Sequence, residues 1–128
     1  MRRLTRRRAF AICAAAALAL SACKAHVNGV SPGPKFGNAK HGAELIEYFG
    51  CGACHSIPGI SGADAMVGPP LDHFANRIYI AGVLSNTPDN LVLWIRKPQS
   101  VVPGNAMPQM GIGEHDARDI AAYLYTIR

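Results

Sequence analysis

Cys51-Gly52-Ala53-Cys54-His55 constrains this chain more than any other stretch, because C-x-x-C-H is the attachment pattern of a c-type haem. Two thiols so spaced can each add to one of two neighbouring vinyl groups of a porphyrin. The imidazole that follows is then carried under the ring, where one nitrogen can bind iron. Gly52 and Ala53 are small enough for the backbone to lie against the macrocycle. Three other readings compete. A structural zinc site wants four protein ligands, and the remaining cysteines, Cys13 and Cys23, lie in what reads as a targeting segment. A thioredoxin-like pair wants a strand–helix–strand setting, and nothing around residue 51 suggests one. A disulfide across so short a loop is strained.

Residues 1–22 read as an export signal. Arg2, Arg3, Arg6, Arg7 and Arg8 form a basic start, and Ala9 to Leu20 is an apolar run of 12 residues. A bilayer-spanning helix needs about 20. Leu20-Ser21-Ala22-Cys23 resembles the lipobox of bacterial lipoproteins, in which the cysteine is acylated and becomes the first mature residue. Two or three acyl chains give stable anchoring. An ordinary secretory signal with an incidental Cys23, or a retained uncleaved anchor, would look similar. Arg7-Arg8-Ala9-Phe10 also fits a twin-arginine signal, but attachment of haem to an unfolded exported chain favours the general secretory route. The expected location is therefore outside the cytoplasm, lipid-anchored on the periplasmic (outer) face of a bacterial membrane.

The formal charge of +5 misleads about partners. The five arginines of the signal account for all of it, leaving eight Lys and Arg against eight Asp and Glu from Lys24 onward. A formally neutral mature chain has no electrostatic basis for binding nucleic acid.

Residues 23–37 read as the lipid-bearing Cys23 and a flexible Gly/Pro-rich tether. Residues 38–128 are long enough for one small domain with a modest core. Asn38 is a candidate N-cap for a helix over 39–49, with Ala43, Ile46 and Phe49 on one face. Gly42 within it points to close approach of another helix. Residues 56–68 form an irregular loop leading to Gly68-Pro69-Pro70-Leu71. The Pro69 carbonyl there could accept the second imidazole N–H of His55, fixing the ring; a plain turn is the equal alternative. Thr87-Pro88-Asp89 starts a helix that carries Leu91, Trp94 and Ile95 inward and stops at Lys97-Pro98. Residues 101–113 are again Gly/Pro-rich and bear Met107 and Met110, potential soft ligands for iron. A last helix is expected over 114–127, with Ala117, Ile120, Ala121, Leu124 and Ile127 on its apolar face. His41, His73 and His115 lie on polar stretches and are expected to be solvated.

The order of these motifs resembles the class I cytochromes c, small monohaem electron carriers, over essentially all of residues 38–128. It runs helix, Cys51-x-x-Cys54-His55, Gly68-Pro69-x-Leu71, middle helix, Gly104-x-x-Met107-Pro108, and a closing helix with Ile120-x-x-Tyr123. The resemblance implies an all-α fold of three to four short helices wrapped around one covalent haem c. In it Cys51 and Cys54 hold the haem, and His55 and Met107 bind the iron. Pro69 supports His55, Arg77 faces a propionate, and Trp94 belongs to the pocket wall. Met110 lacks the Met-Pro context. Gly42 with Ile120 and Tyr123 would mark the crossing of the first and last helices. Ile46 stands where the family often has an aromatic.

The run from the haem motif onward is most similar to membrane-associated carriers linked to haem–copper terminal oxidases. The implied function is one-electron transfer in a respiratory chain, with membrane redox complexes as electron donor and acceptor and no small-molecule substrate. Two alternatives stay open: a haem-bearing subunit of an oxidase, and a ligand-binding or peroxidase-like haem protein in which Met107 leaves the iron.

Overall fold

The computed structural model describes residues 36–128. The expected export signal (1–22), the acylated Cys23 and the tether as far as Lys35 lie outside the described residues. Four helices carry the architecture: α1 (Ala39–Tyr48), α2 (Pro88–Arg96), the single turn α3 (Pro98–Val101) and α4 (Glu114–Leu124). Short 3₁₀ turns at Cys51–Ala53 and Phe74–Asn76 and one small hairpin complete it. Among the described residues no helix is long and apolar enough to cross a membrane.

Local chemistry sets the helix ends. The Asn38 side chain accepts from the N–H groups of Lys40 and His41 at 3.1 and 3.3 Å, a cap of the kind worth about 1 kcal/mol. Thr87 caps α2 by accepting from Asn90 N–H at 3.3 Å, with Pro88 where its missing N–H costs nothing. Pro98 ends α2 and opens α3, a turn that the composition of this stretch did not suggest. The hairpin, with Tyr79 opposite Ser85 and Ile80 opposite Leu84, was equally unmarked by alternation, being two residues long on each side.

Helices α1 and α4 cross at Gly42. A Cβ there would lie 2.5 Å from the Asp119 carbonyl carbon and overlap the oxygen, so only glycine admits this approach. Ile46, Leu91, Ile95, Ile120 and Leu124 meet behind the crossing in one core, each stabilising the fold by about 1.5–3 kcal/mol. Helix α4 stops at Leu124 rather than Ile127. The chain turns there so that the Ile127 carbonyl can accept from Ala75 N–H at 2.9 Å, which ties the tail to the second 3₁₀ turn. Packing also begins before residue 38. The Phe36 ring meets Tyr125 edge-on at 6.4 Å and lies under the Arg118 guanidinium, so the tether yields its last two residues to the folded domain.

His41 is not simply solvated, contrary to its polar surroundings in the sequence. Its Nδ1 lies 2.8 Å from Asp119 Oδ2, and Asp119 is buried, taking Asn38 N–H at 2.7 Å on its other oxygen. The hydrogen bond to Asp119 lifts the His41 pKa above its ordinary 6.5, against the cost of burial, with Glu44 and Asp116 adding to the lift. Burial works to raise Asp119, but Asn38 N–H, His41 and His115 outweigh it and hold the carboxyl below its ordinary 3.8.

The histidine's contribution is complete below 6.5 and is lost as pH rises through its folded pKa; the carboxylate's is complete above 3.8 and is lost as pH falls through its own. Holoprotein melting temperature should therefore plateau between these limits and fall on both sides. His41→Gln should flatten the alkaline limb and move the acid limb to higher pH, since His41 helps hold Asp119 ionised; an unchanged alkaline limb in that variant would refute the pairing.

Candidate functional site

The first 3₁₀ turn and the strand-less loops after it gather the chemistry-bearing residues around one cavity. It has a volume of about 590 Å³, within the usual range for a bound cofactor. Cys51, Cys54 and His55 line it from the turn that follows α1, and Met107 lines it from the segment between α3 and α4. Core side chains Ile46, Leu91, Ile95, Ile120 and Leu124 form much of its wall. Core and pocket are thus the same apolar surface, and a planar macrocycle would supply the contacts that the helices leave unfilled.

His55 is oriented by the chain itself. Its Nδ1 lies 2.7 Å from the Pro69 carbonyl, which can only accept, so the proton must sit on Nδ1 and the Nε2 lone pair is left to bind a metal. The loop bearing Pro69 is fastened to the thiol segment by Gly68 N–H, which donates to the Cys54 carbonyl at 2.7 Å, and by Leu71 N–H, which donates to Ser56 at 2.8 Å. Gly68 also lies flat against the imidazole. A Cβ there would stand 2.5 Å from the ring Cε1 and 2.8 Å from Nδ1, so this position must lack a side chain if the ring is to keep its direction.

The two thiols are not bonded to each other. Burial pushes the Cys51 thiol above its ordinary 9.0, with Cys54 adding to the effect and a backbone hydrogen bond opposing it. A neutral, half-buried thiol is the opposite of the lowered-pKa thiolate that redox C-x-x-C pairs use. Among the described residues no three His, Cys, Asp or Glu side chains are placed to hold one metal ion, so Cys51, Cys54 and His55 do not converge on a zinc. The arrangement fits a haem instead: two thiols and one imidazole from a five-residue turn, spread along a large apolar cavity.

Arg77 and Trp94 both line this cavity. Arg77 has a further task that the sequence did not reveal. Its Nη2 donates to the carbonyls of Pro70 and Asp72 at 2.5 and 2.8 Å, bracing the loop next to Pro69, while the guanidinium lies 5.5 Å over Phe74. The Asp72 carboxylate also stands 3.5 Å from Nη2. Met110 lines the cavity too but is 40% exposed, whereas Met107 is half-buried.

The Tyr123 hydroxyl donates to the Pro58 carbonyl at 2.8 Å, joining α4 to the loop after the haem motif. Gln99 and Asn105, whose amides surround the Met107 main chain, were missed altogether. The only trace of Asn105 in the sequence was its place inside Gly104-x-x-Met107-Pro108.

The family model described as Cytochrome c matches residues 39–128. Among curated proteins, cytochrome c oxidase subunit 2 of Alkalihalophilus pseudofirmus is 37% identical over 91 residues, 70% of this chain and 26% of the relative. Cytochrome c oxidase subunit 2 of Bacillus subtilis is 34% identical over 89 residues, 68% of this chain and 25% of that protein. The same subunit of Bacillus sp. strain PS3 is 39% identical over 71 residues, 54% of this chain and 20% of the relative. The chain thus spans about a quarter of the length of the curated relatives it matches. No solved structure matches it.

Proposed function

The chain belongs to the cytochrome c family, whose members bind haem and transfer electrons, and on that premise we propose that it is a membrane-anchored monohaem c-type cytochrome delivering single electrons to a respiratory terminal oxidase. The observation that carries this reading is His55, its tautomer set by the Pro69 carbonyl, lining one apolar cavity together with Met107 and both thiols. Bound haem supplies the one-electron Fe(III)/Fe(II) couple. The chain's part is to hold it through Cys51 and Cys54, to offer nitrogen from His55 and sulfur from Met107, and to exclude water with the core side chains. With both ligands in place His55 and Met107 would leave no open position for a substrate, and the chain would need little rearrangement as the electron passes.

The oxidase as acceptor is supported by the names of the relatives, which are oxidase subunits. Anchoring at the outer face of a bacterial membrane is supported by the basic start, the apolar run and Leu20-Ser21-Ala22-Cys23. A lipid tether would confine the domain near its partners and raise its effective concentration.

The test is to express the full chain in a host that attaches haem c. One covalent haem per chain, a ferric sulfur–iron band, and release from membranes by Cys23→Ser are expected; a colourless exported chain would end the proposal. Because the mature chain is formally neutral, its rate of electron delivery should change by less than about threefold between 20 and 200 mM salt. A steep fall with salt would contradict docking without strong charge steering.

The same relatives favour a second reading, a haem domain held permanently in an oxidase. Stable co-purification with an oxidase at high dilution would select it over a shuttle.

A further inference from the structure

The segment that carries Met107 has no helix or strand of its own, yet both main-chain polar groups of Met107 are held by side chains. Met107 N–H donates to Asn105 Oδ1 at 2.8 Å, and the Met107 carbonyl accepts from Gln99 Nε2 at 2.8 Å. Both N–H groups of each amide are engaged. Gln99 Nε2 also donates to the Asn105 carbonyl at 2.9 Å, and its Oε1 accepts from Gly104 N–H at 3.0 Å. Asn105 Nδ2 donates to the carbonyls of Pro98 and Val102 at 3.0 and 2.6 Å. Each amide thus uses two donors and one acceptor, and turning either over would set donor against donor. The result is a closed set of bonds between α3 and residues 104–107.

We propose that Gln99 and Asn105 are positioning residues for the sulfur ligand: their amides hold the Met107 main chain at the cavity and so set how often the sulfur leaves the iron. The proposal rests on Met107 being that ligand. A thioether is a neutral and weak donor, so its hold depends on how little entropy remains to be lost when it binds. Fixing the residue's N–H and carbonyl removes most of that loss in advance. Met110, in the same loop and on the same cavity, is 40% exposed, and its removal from the test leaves Met107 as the one sulfur that is read.

The experiment uses ferric holoprotein in a Met110→Ala background, titrated with imidazole, which binds iron only when the sulfur has left. Apparent affinity then reports the sulfur-free fraction directly. Gln99→Leu removes three bonds, and Asn105→Asp removes the two donations to Pro98 and Val102 while keeping the acceptor for Met107 N–H.

Each variant should bind imidazole roughly tenfold more tightly, the scale of one or two net hydrogen bonds. Far-UV circular dichroism at the same temperature should be unchanged. A residue that merely stabilised the domain would lower the melting temperature and leave imidazole affinity in place; that result, in whichever variant folds, overturns the proposal. Met107→Ala separates the two levels of the argument. If its sulfur–iron band survives, the ligand reading itself fails; if the band is lost but Gln99→Leu and Asn105→Asp bind imidazole as the parent does, only the amide proposal fails.

Discussion

Met107→Ala should abolish the ferric sulfur–iron absorption band and lower the reduction potential by on the order of 100 mV, while Met110→Ala should retain both. Thioether sulfur favours ferrous over ferric iron, so its loss penalises the reduced state, and axial ligands command a span of about 0.8 V across haem proteins. The two methionines are three residues apart on one irregular segment and line the same cavity, so proximity does not separate them. What separates them is restraint: Met107 is pinned through its own N–H and carbonyl and is half-buried, whereas Met110 is 40% exposed. Spectra and potentiometric titration of the two variants decide the matter. The reverse pattern would transfer the ligand role to Met110.

Gly42→Ala should be the most damaging small substitution in the domain. In an open helix the change gains up to about 1 kcal/mol in helix propensity. Here the added methyl would meet the Asp119 carbonyl, with its carbon at 2.5 Å, and backbone cannot rotate away as a side chain can. Forcing the helices apart costs about 1–3 kcal/mol or more, and it strains the Asn38–Asp119 and His41–Asp119 bonds beside the contact.

The same shift would widen the cavity wall at Ile46 and Ile120, so haem incorporation should fall along with stability. Chemical denaturation of the holoprotein should place Gly42→Ala at least about 2 kcal/mol below the parent. Gly113→Ala, where nothing stands within 4 Å of the new carbon, should change it by less than about 1 kcal/mol. A Gly42→Ala protein as stable as the parent would show that the crossing can relax.

Features read from neighbouring residues along the chain could be recognised before any coordinates, because they depend on short-range covalent geometry. The Cys51-x-x-Cys54-His55 turn is one; the caps at Asn38 and Thr87 and the Pro98 break are others, each decided within one turn of backbone. The Pro69 carbonyl could be named beforehand as one acceptor for His55, but a plain turn was the equal alternative until folding brought the two within 2.7 Å. The last turn of α4 was misjudged because its apolar periodicity continues to Ile127, while the backbone turns at Tyr125 to meet Ala75.

Tertiary structure alone decided the pairings between segments remote along the chain. Asp119 carries no mark that distinguishes it from Asp116, yet it is buried because it receives Asn38 and His41 from a helix 78 or more positions earlier. Gln99 and Asn105 read as ordinary polar loop residues, and Arg77 as an anion-facing cation, until folding brought carbonyls within their reach. Polar side chains are chosen for what they touch, and periodicity encodes only which way an apolar face points. The haem motif and its helices were therefore written in the sequence, whereas the bonds that aim His55 and Met107 at one cavity required the fold.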